Sequence, residues 1–128
     1  MEIMDSKVCV DTDACIEVLK GTERGRKITD MLFHSQVYIS VVTMFELLLR
    51  KSNLEAIEVF LSKVNTLPFT PFTARKAAEL YKKMSEGGSP IEIRDLFIAS
   101  CAASENMPVL TFNKKDFSKI PSLHLPEV

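Results

Sequence analysis

Between residues 73 and 84, Ala74, Ala77, Ala78, Tyr81 and Met84 recur at helical spacing, while Arg75, Lys76, Glu79, Lys82 and Lys83 fall on the other side. That pattern predicts an amphipathic helix. Residues 91–103 read differently: Leu96, Phe97, Ile98, Ala99, Cys101, Ala102 and Ala103 leave almost no polar face, which predicts a buried helix. Glu86-Gly87-Gly88-Ser89-Pro90 breaks the chain between these two helices but is too short to divide domains. Further helical patterns lie near residues 13–19, 25–33, 43–50 and 54–64. Short β-branched runs alternate with them: Val8-Cys9-Val10, Val37-Tyr38-Ile39-Ser40-Val41 and Met107-Pro108-Val109-Leu110-Thr111, with weaker strands at Leu67-Pro68-Phe69-Thr70 and Leu123-His124-Leu125. Strand and helix in alternation predict one α/β domain over residues 1–128, with a mostly parallel sheet covered by helices on both faces. The continuous apolar strands fit that class.

Composition narrows the function. The 16 Lys and Arg nearly balance the 17 Asp and Glu, for a formal charge of -1. A large basic face that coats nucleic acid is therefore excluded, and any contact with a polyanion is local. The apolar stretches fall well short of the roughly 20 residues that span a bilayer. The opening Met1-Glu2-Ile3-Met4-Asp5-Ser6-Lys7 lacks the basic flank and apolar run of a signal peptide. Cys9, Cys15 and Cys101 are scattered, with no C-x-x-C pair, as expected of reduced core thiols in a cytoplasmic protein. His34 and His124 stand alone, which argues against zinc.

In open parallel sheets the chemistry gathers at the carboxyl ends of the strands. The first strand runs into Asp11-Thr12-Asp13, the second into Thr43-Met44-Phe45-Glu46, and the one ending at Leu110 into Thr111-Phe112-Asn113-Lys114-Lys115-Asp116. Asp95 lies near the start of the buried helix. Several of these acids also have structural readings. Thr43 to Glu46 is a capping-box pattern. Ser89-Pro90-Ile91-Glu92 reads as an N-cap, a Pro at N1 and a Glu at N3. Asp13 fits a helix cap, Asp116 a turn after Asn113, and Arg94 an ion pair with Asp95. Asp11 ends a buried strand, where an unpaired charge is costly. Asp95 falls in the second turn of a helix that starts at Pro90, past any capping position.

Two carboxylates ~4 Å apart repel by about 4 kcal/mol at an effective dielectric of ~20. Crowded acids therefore either protonate or share a cation. Oxygen ligands without His or Cys select Mg²⁺ or Mn²⁺, and such ions pair naturally with phosphate oxygens. The chemistry this predicts is metal-assisted phosphoryl transfer.

Four motifs in order now resemble a known family: Val8-Cys9-Val10-Asp11-Thr12-Asp13, Ser40-Val41-Val42-Thr43-Met44-Phe45-Glu46-Leu47, Ile93-Arg94-Asp95-Leu96-Phe97-Ile98-Ala99 and Leu110-Thr111-Phe112-Asn113-Lys114-Lys115-Asp116-Phe117. The chain resembles the PIN-domain nucleases, and among them the VapC-like toxins of VapBC toxin–antitoxin pairs. The resemblance implies a three-layer α/β/α sandwich and an RNA-cutting, metal-dependent enzyme. Asp11, Glu46, Asp95 and Asp116 would be its catalytic acids and the ligands of one or two Mg²⁺ or Mn²⁺ ions, with Thr12, Thr43, Thr111 and Asn113 in support. Asn113 fills the position where some relatives place the fourth acid, so that role falls to Asp116. The resemblance further implies 5′-phosphate and 3′-hydroxyl products, an RNA substrate, a homodimer and a small VapB-like antitoxin.

Lys114 and Lys115, next to the acids, are candidates for a substrate phosphate. Arg24, Arg26 and Lys27 form a second basic group and Lys82-Lys83 a third. No run of aromatics interleaved with cations suggests a stacking platform. Two other readings compete. Asp11-x-Asp13 after a strand is similar to the opening of haloacid-dehalogenase-type phosphatases, and a non-catalytic binding or scaffold domain could share the fold.

Overall fold

Four parallel strands, in the spatial order β3-β2-β1-β4, form the centre of the computed structural model, which describes residues 6–127. Met1 to Asp5, where no signal segment was read, lie outside the described residues. The order along the chain is β1 (Ser6–Val10), α1 (Thr12–Lys20), α2 (Glu23–Leu32), β2 (Ser35–Ser40), α3 (Val41–Leu48), α4 (Leu54–Lys63), β3 (Asn65–Leu67), α5 (Pro71–Glu86), α6 (Ile93–Ser104), β4 (Val109–Leu110) and α7 (Lys114–Phe117). Val8 pairs with Val37, Tyr38 with Asn65, and Val10 with Leu110.

Side chains of a strand alternate between the two faces of a sheet, and here each face has its own core. Val8, Val10, Ile39 and Leu110 pack with Ala14, Ile28, Leu47 and Ile57 from α1 to α4. Cys9 and Val109 point the other way, into a core built with Leu80, Met84, Leu96 and Ile98 of α5 and α6. The sandwich has the three layers expected. All three cysteines are buried and free.

The chain steps outward from β1 to β2 to β3 with α1 to α4 on one face, then returns across the sheet to β4 with α5 and α6 on the other. A right-handed crossover that reverses direction must change faces. The reversal leaves a crevice between the carboxyl ends of β1 and β4, which is where ligands bind in sheets of this kind.

Several boundaries differ from the sequence reading. The strand expected at 107–111 shortens to Val109–Leu110, and that expected at 67–70 shifts to Asn65–Leu67. Pro108 and Pro68 have no N–H to give to a ladder. Residues 123–125 form no strand; a single bond from the Val109 N–H to the His124 carbonyl, 3.0 Å, lays this segment along the outer side of β4. Helix α6 starts at Ile93 with Glu92 as its N-cap residue, so Ser89 and Pro90 cap nothing and Asp95 sits in the first turn, not the second. The short α7 was not foreseen.

Helices α1 and α2 meet through Gly25. The Thr22 hydroxyl accepts from the Gly25 N–H at 3.0 Å and donates to Glu17 Oε1 at 2.6 Å, which ties the start of α2 to the side of α1.

Candidate active site

Asp11 leaves β1 and, in the next residue, the chain is helical. Its backbone is extended (φ -76°, ψ 172°) and its Oδ1 accepts from the Ala14 N–H at 2.9 Å, so Asp11, not Asp13, caps α1. The other oxygen, Oδ2, accepts from the hydroxyl of Thr111 at the end of β4. That bond spans the crevice. Asp11 is only 3% exposed, and burial pushes its carboxyl up to about 6 against the pull of these two bonds, with the charges of Asp13 and Glu46 adding to the rise.

Thr111 is also the acceptor for the Asn113 N–H, 2.9 Å, and the Asn113 amide donates to Asp116 Oδ2 at 3.0 Å. A relay thus runs from Asp11 through Thr111 and Asn113 to Asp116. The Asn113 bond and the ammonium of Lys119, 3.4 Å from Oδ1, hold the Asp116 carboxyl below its ordinary range.

Glu46 is fixed at both oxygens. Oε1 accepts from the Thr12 hydroxyl at 2.5 Å, and Oε2 lies 2.7 Å from an Arg94 nitrogen. The expected capping box at Thr43 does not form. Helix α3 begins at Val41, straight out of β2, and its cap is Ser40, whose hydroxyl accepts from the Thr43 N–H at 3.0 Å. Thr43 instead stands 3.0 Å from the Thr12 hydroxyl, and Glu46 is left for the crevice.

Asp95 has no hydrogen bond to its carboxylate among the described residues. Arg94 turns to Glu46 and to Glu92, 3.1 Å away, rather than to Asp95. Burial raises the Asp95 carboxyl to about 6, helped by the charges of Glu92, Asp11, Asp116 and Asp13. The charge of Asp11 thus reaches Asp95. Among the described residues no three Asp, Glu, His or Cys side chains close on a single point. Even so, the donors fit a hard cation. Burial makes the negative charge of two half- to fully buried carboxylates costly, and a cation relieves that cost; such ions are commonly met by one or two carboxylates plus water and phosphate.

Residues 8–123 match the family model of the PIN domain. The chain belongs to the PIN-domain family. It is 27% identical over 128 residues to the tRNA(fMet)-specific endonuclease VapC of Salmonella typhimurium, covering 94% of this chain and 97% of that one. It is 32% identical over 126 residues to the ribonuclease VapC of Rickettsia bellii, at 91% and 92% coverage. In three dimensions it resembles DNA-bound VapBC from Salmonella typhimurium with a TM-score of 0.85 at 27% identity, covering 95% and 98% of the two chains. VapBC2 of Rickettsia felis bound to a promoter DNA fragment gives 0.82 at 25%, covering 94% and 97%.

Two features of this PIN domain escape linear reading. The Arg94–Glu46 pair joins α6 to α3, and nothing in the motif around Asp95 signals it. Lys114, a candidate for a substrate phosphate, is engaged by Glu127 at 3.3 Å, while Lys115 is exposed.

The relay makes Thr111 the most sensitive of the supporting residues. Thr111→Val keeps the shape but leaves Asp11 Oδ2 without a donor and the Asn113 N–H without an acceptor. We expect a loss of about 1.5–3 kcal/mol in urea unfolding at neutral pH, with Thr111→Ser recovering most of it. Equal stability of the valine variant and the parent would remove Thr111 from the relay.

Proposed function

We propose that this PIN domain is a metal-dependent endoribonuclease and the toxin of a VapBC-type toxin–antitoxin pair. The observation that supports the reading is that Asp11 at the end of β1 and Asp95 in the first turn of α6 lie near enough for the charge of Asp11 to raise Asp95, both carboxyls standing at about 6. The ribonuclease and endonuclease names of the relatives support the reaction, and the VapBC complexes support the partner.

Asp11 and Asp95 would hold Mg²⁺ or Mn²⁺, with Glu46 and Asp116 completing the acidic rim. A bound ion supplies a more nucleophilic water and offsets charge on the phosphoryl oxygens. The chain's own residues fix geometry. The Ala14 N–H and the Thr111 hydroxyl hold Asp11 in one rotamer, Thr12 and Arg94 hold Glu46, and Asn113 holds Asp116. Attack on the phosphodiester would leave 5′-phosphate and 3′-hydroxyl ends. A VapB-like antitoxin, a homodimer and a cytoplasmic location belong to the same proposal. Among the described residues no helix is long and apolar enough to cross a membrane.

Cleavage of a tRNA pool, with ends mapped, tests this. We expect cutting with Mg²⁺ or Mn²⁺ that stops on adding EDTA. Cutting undiminished by EDTA would reject the metal. Hydrolysis of phosphate monoesters without any RNA cleavage would favour the phosphatase reading. A folded sample that binds no Mn²⁺ in calorimetry would point to a scaffold.

A further inference from the structure

Lys20 closes α1, Arg24 lies in the first turn of α2, Arg50 follows α3, and Phe112 leads from β4 towards α7. The fold brings all four to one groove of about 530 Å³. Asp13 and Asn113 line the same groove. The charge of Asp13 reaches both Asp11 and Asp95, and Asn113 holds Asp116. The groove therefore opens onto the acidic crevice.

Its cations are unlike most others that flank the crevice. Arg94, Lys114 and Lys119 each have a carboxylate within 4.0 Å. Among the described residues Lys20, Arg24 and Arg50 have none. Two acids, Asp13 and Glu17, line the groove with them, so the cations outnumber the acids by one. Three cations without a carboxylate partner leave the groove locally positive by one charge in a chain whose net charge is -1, and such a site attracts a polyanion. The Arg24 guanidinium carbon also lies over the Phe112 ring, 3.9 Å from its centroid. A guanidinium on an aromatic ring is a planar surface on which a nucleobase stacks.

We propose that this groove is the subsite that holds single-stranded RNA beside the bond to be cut: one base stacks on the Arg24–Phe112 pair, and Lys20 and Arg50 hold the phosphates flanking it. The inference rests on the ribonuclease reading and names its substrate grip. An acidic peptide would satisfy the cations but has no use for the stacked surface, which favours RNA. Lys114 and Lys115, the cations expected to meet phosphate from the sequence, are joined here by a set drawn from α1, α2 and the segment after α3, and the stacking pair has no aromatic–basic run to encode it.

The test is binding of a fluorescein-labelled single-stranded oligoribonucleotide in EDTA, followed by anisotropy across a salt series, and then cleavage with Mn²⁺. For Lys20→Gln combined with Arg50→Gln we expect affinity roughly tenfold weaker or more, and a log–log salt slope shallower by about 1.4, since each single-strand phosphate contact contributes about 0.7. Phe112→Leu keeps the apolar contact and removes the ring. It should weaken binding roughly 5- to 100-fold with the slope unchanged. In cleavage, KM rises for both while the rate at saturating RNA holds. Lys82→Gln with Lys83→Gln, on the far part of α5, should match the parent. If the parent binds and cuts RNA and the groove variants do so equally well, the subsite is overturned and the ribonuclease reading stands. If the parent neither binds nor cuts RNA, both fall. Variants that lose an acidic probe such as poly-glutamate while keeping full RNA affinity would also overturn the proposal and give the groove to a protein partner.

Discussion

Asp11→Asn should give a protein that no longer cuts RNA and yet withstands more urea than its parent at pH 7.5. The loss of activity is expected to be about a thousandfold, because the charge stabilisation that a bound ion supplies is several kcal/mol and each 1.4 kcal/mol is tenfold in rate. The gain in stability follows from the carboxyl itself. Folded, Asp11 keeps its proton to about 6; unfolded, it releases it near 3.8. Between those values the folded chain binds more protons, so stability falls as pH rises through the window. Above it the cost is complete, at about 3 kcal/mol. Asparagine carries no charge, and its carbonyl still accepts from the Ala14 N–H, so the helix cap survives; its NH2 cannot accept the Thr111 proton, and the loss of that bond takes back part of the gain. The advantage of the variant over the parent should therefore be greatest at pH 7.5 and fall steeply towards pH 4. Mn²⁺ should raise the urea midpoint of the parent at pH 7.5, because a ligand of the folded state stabilises it, and leave the variant unmoved. A difference that is the same at both pH values would show that burial of the charge is not its source. Asp95 shifts in the same direction, and its greater exposure makes its share smaller.

The second large effect is far from the chemistry. Replacing a helical glycine with alanine ordinarily stabilises a helix by nearly 1 kcal/mol. At Gly25 the sign reverses. A Cβ built there would lie 2.1 Å from the Glu17 carbonyl oxygen, 2.5 Å from its carbon and 2.8 Å from the Val18 nitrogen, all backbone atoms of α1. No side chain can swing away to relieve the clash, so the two helices must separate. We expect Gly25→Ala to cost about 3 kcal/mol or more, at the upper end for overpacked cores. Gly87→Ala is the control. Its Cβ would meet the nearest carbonyl at 3.5 Å, ordinary contact, and the backbone there is right-handed helical. It should be neutral or stabilising by about 0.4–1 kcal/mol. Similar urea midpoints for the two alanine variants would refute the close approach of α1 and α2. Because α2 carries Arg24, the Gly25 variant should also lose affinity for RNA.

What could be seen in the linear chain, and what could not, divides along a physical line. The run Val8-Cys9-Val10 into Asp11 is local, and so is the β2-to-α3 passage that delivers Glu46; both were legible as acids at strand ends, and alternation of strand and helix was enough for the layered class. The caps were misjudged where a strand passes into a helix without a loop. Ser40 and Asp11 each join a strand to a helix in a single residue, whereas the capping patterns in the sequence fall three and two residues later, at Thr43 and Asp13. The start of α6 was misplaced because Ser89-Pro90 is a strong helix-opening pair by itself, yet the chain stays extended to Glu92. Pairings such as Arg94 with Glu46, or Arg24 with Phe112, have no local signal. They follow from the order of strands, which sequence periodicity does not encode.

The margins of the sheet have a consequence of their own. On one side β3 offers three residues and is followed at once by Pro68; on the other β4 offers two, is preceded by Pro108, and has its outward N–H at Val109 taken by His124. A stray strand from another molecule would find almost no free donors to zip onto. A cell that accumulates this chain, or stores it silenced beside a partner, thus runs little risk of its copies polymerising through their sheets.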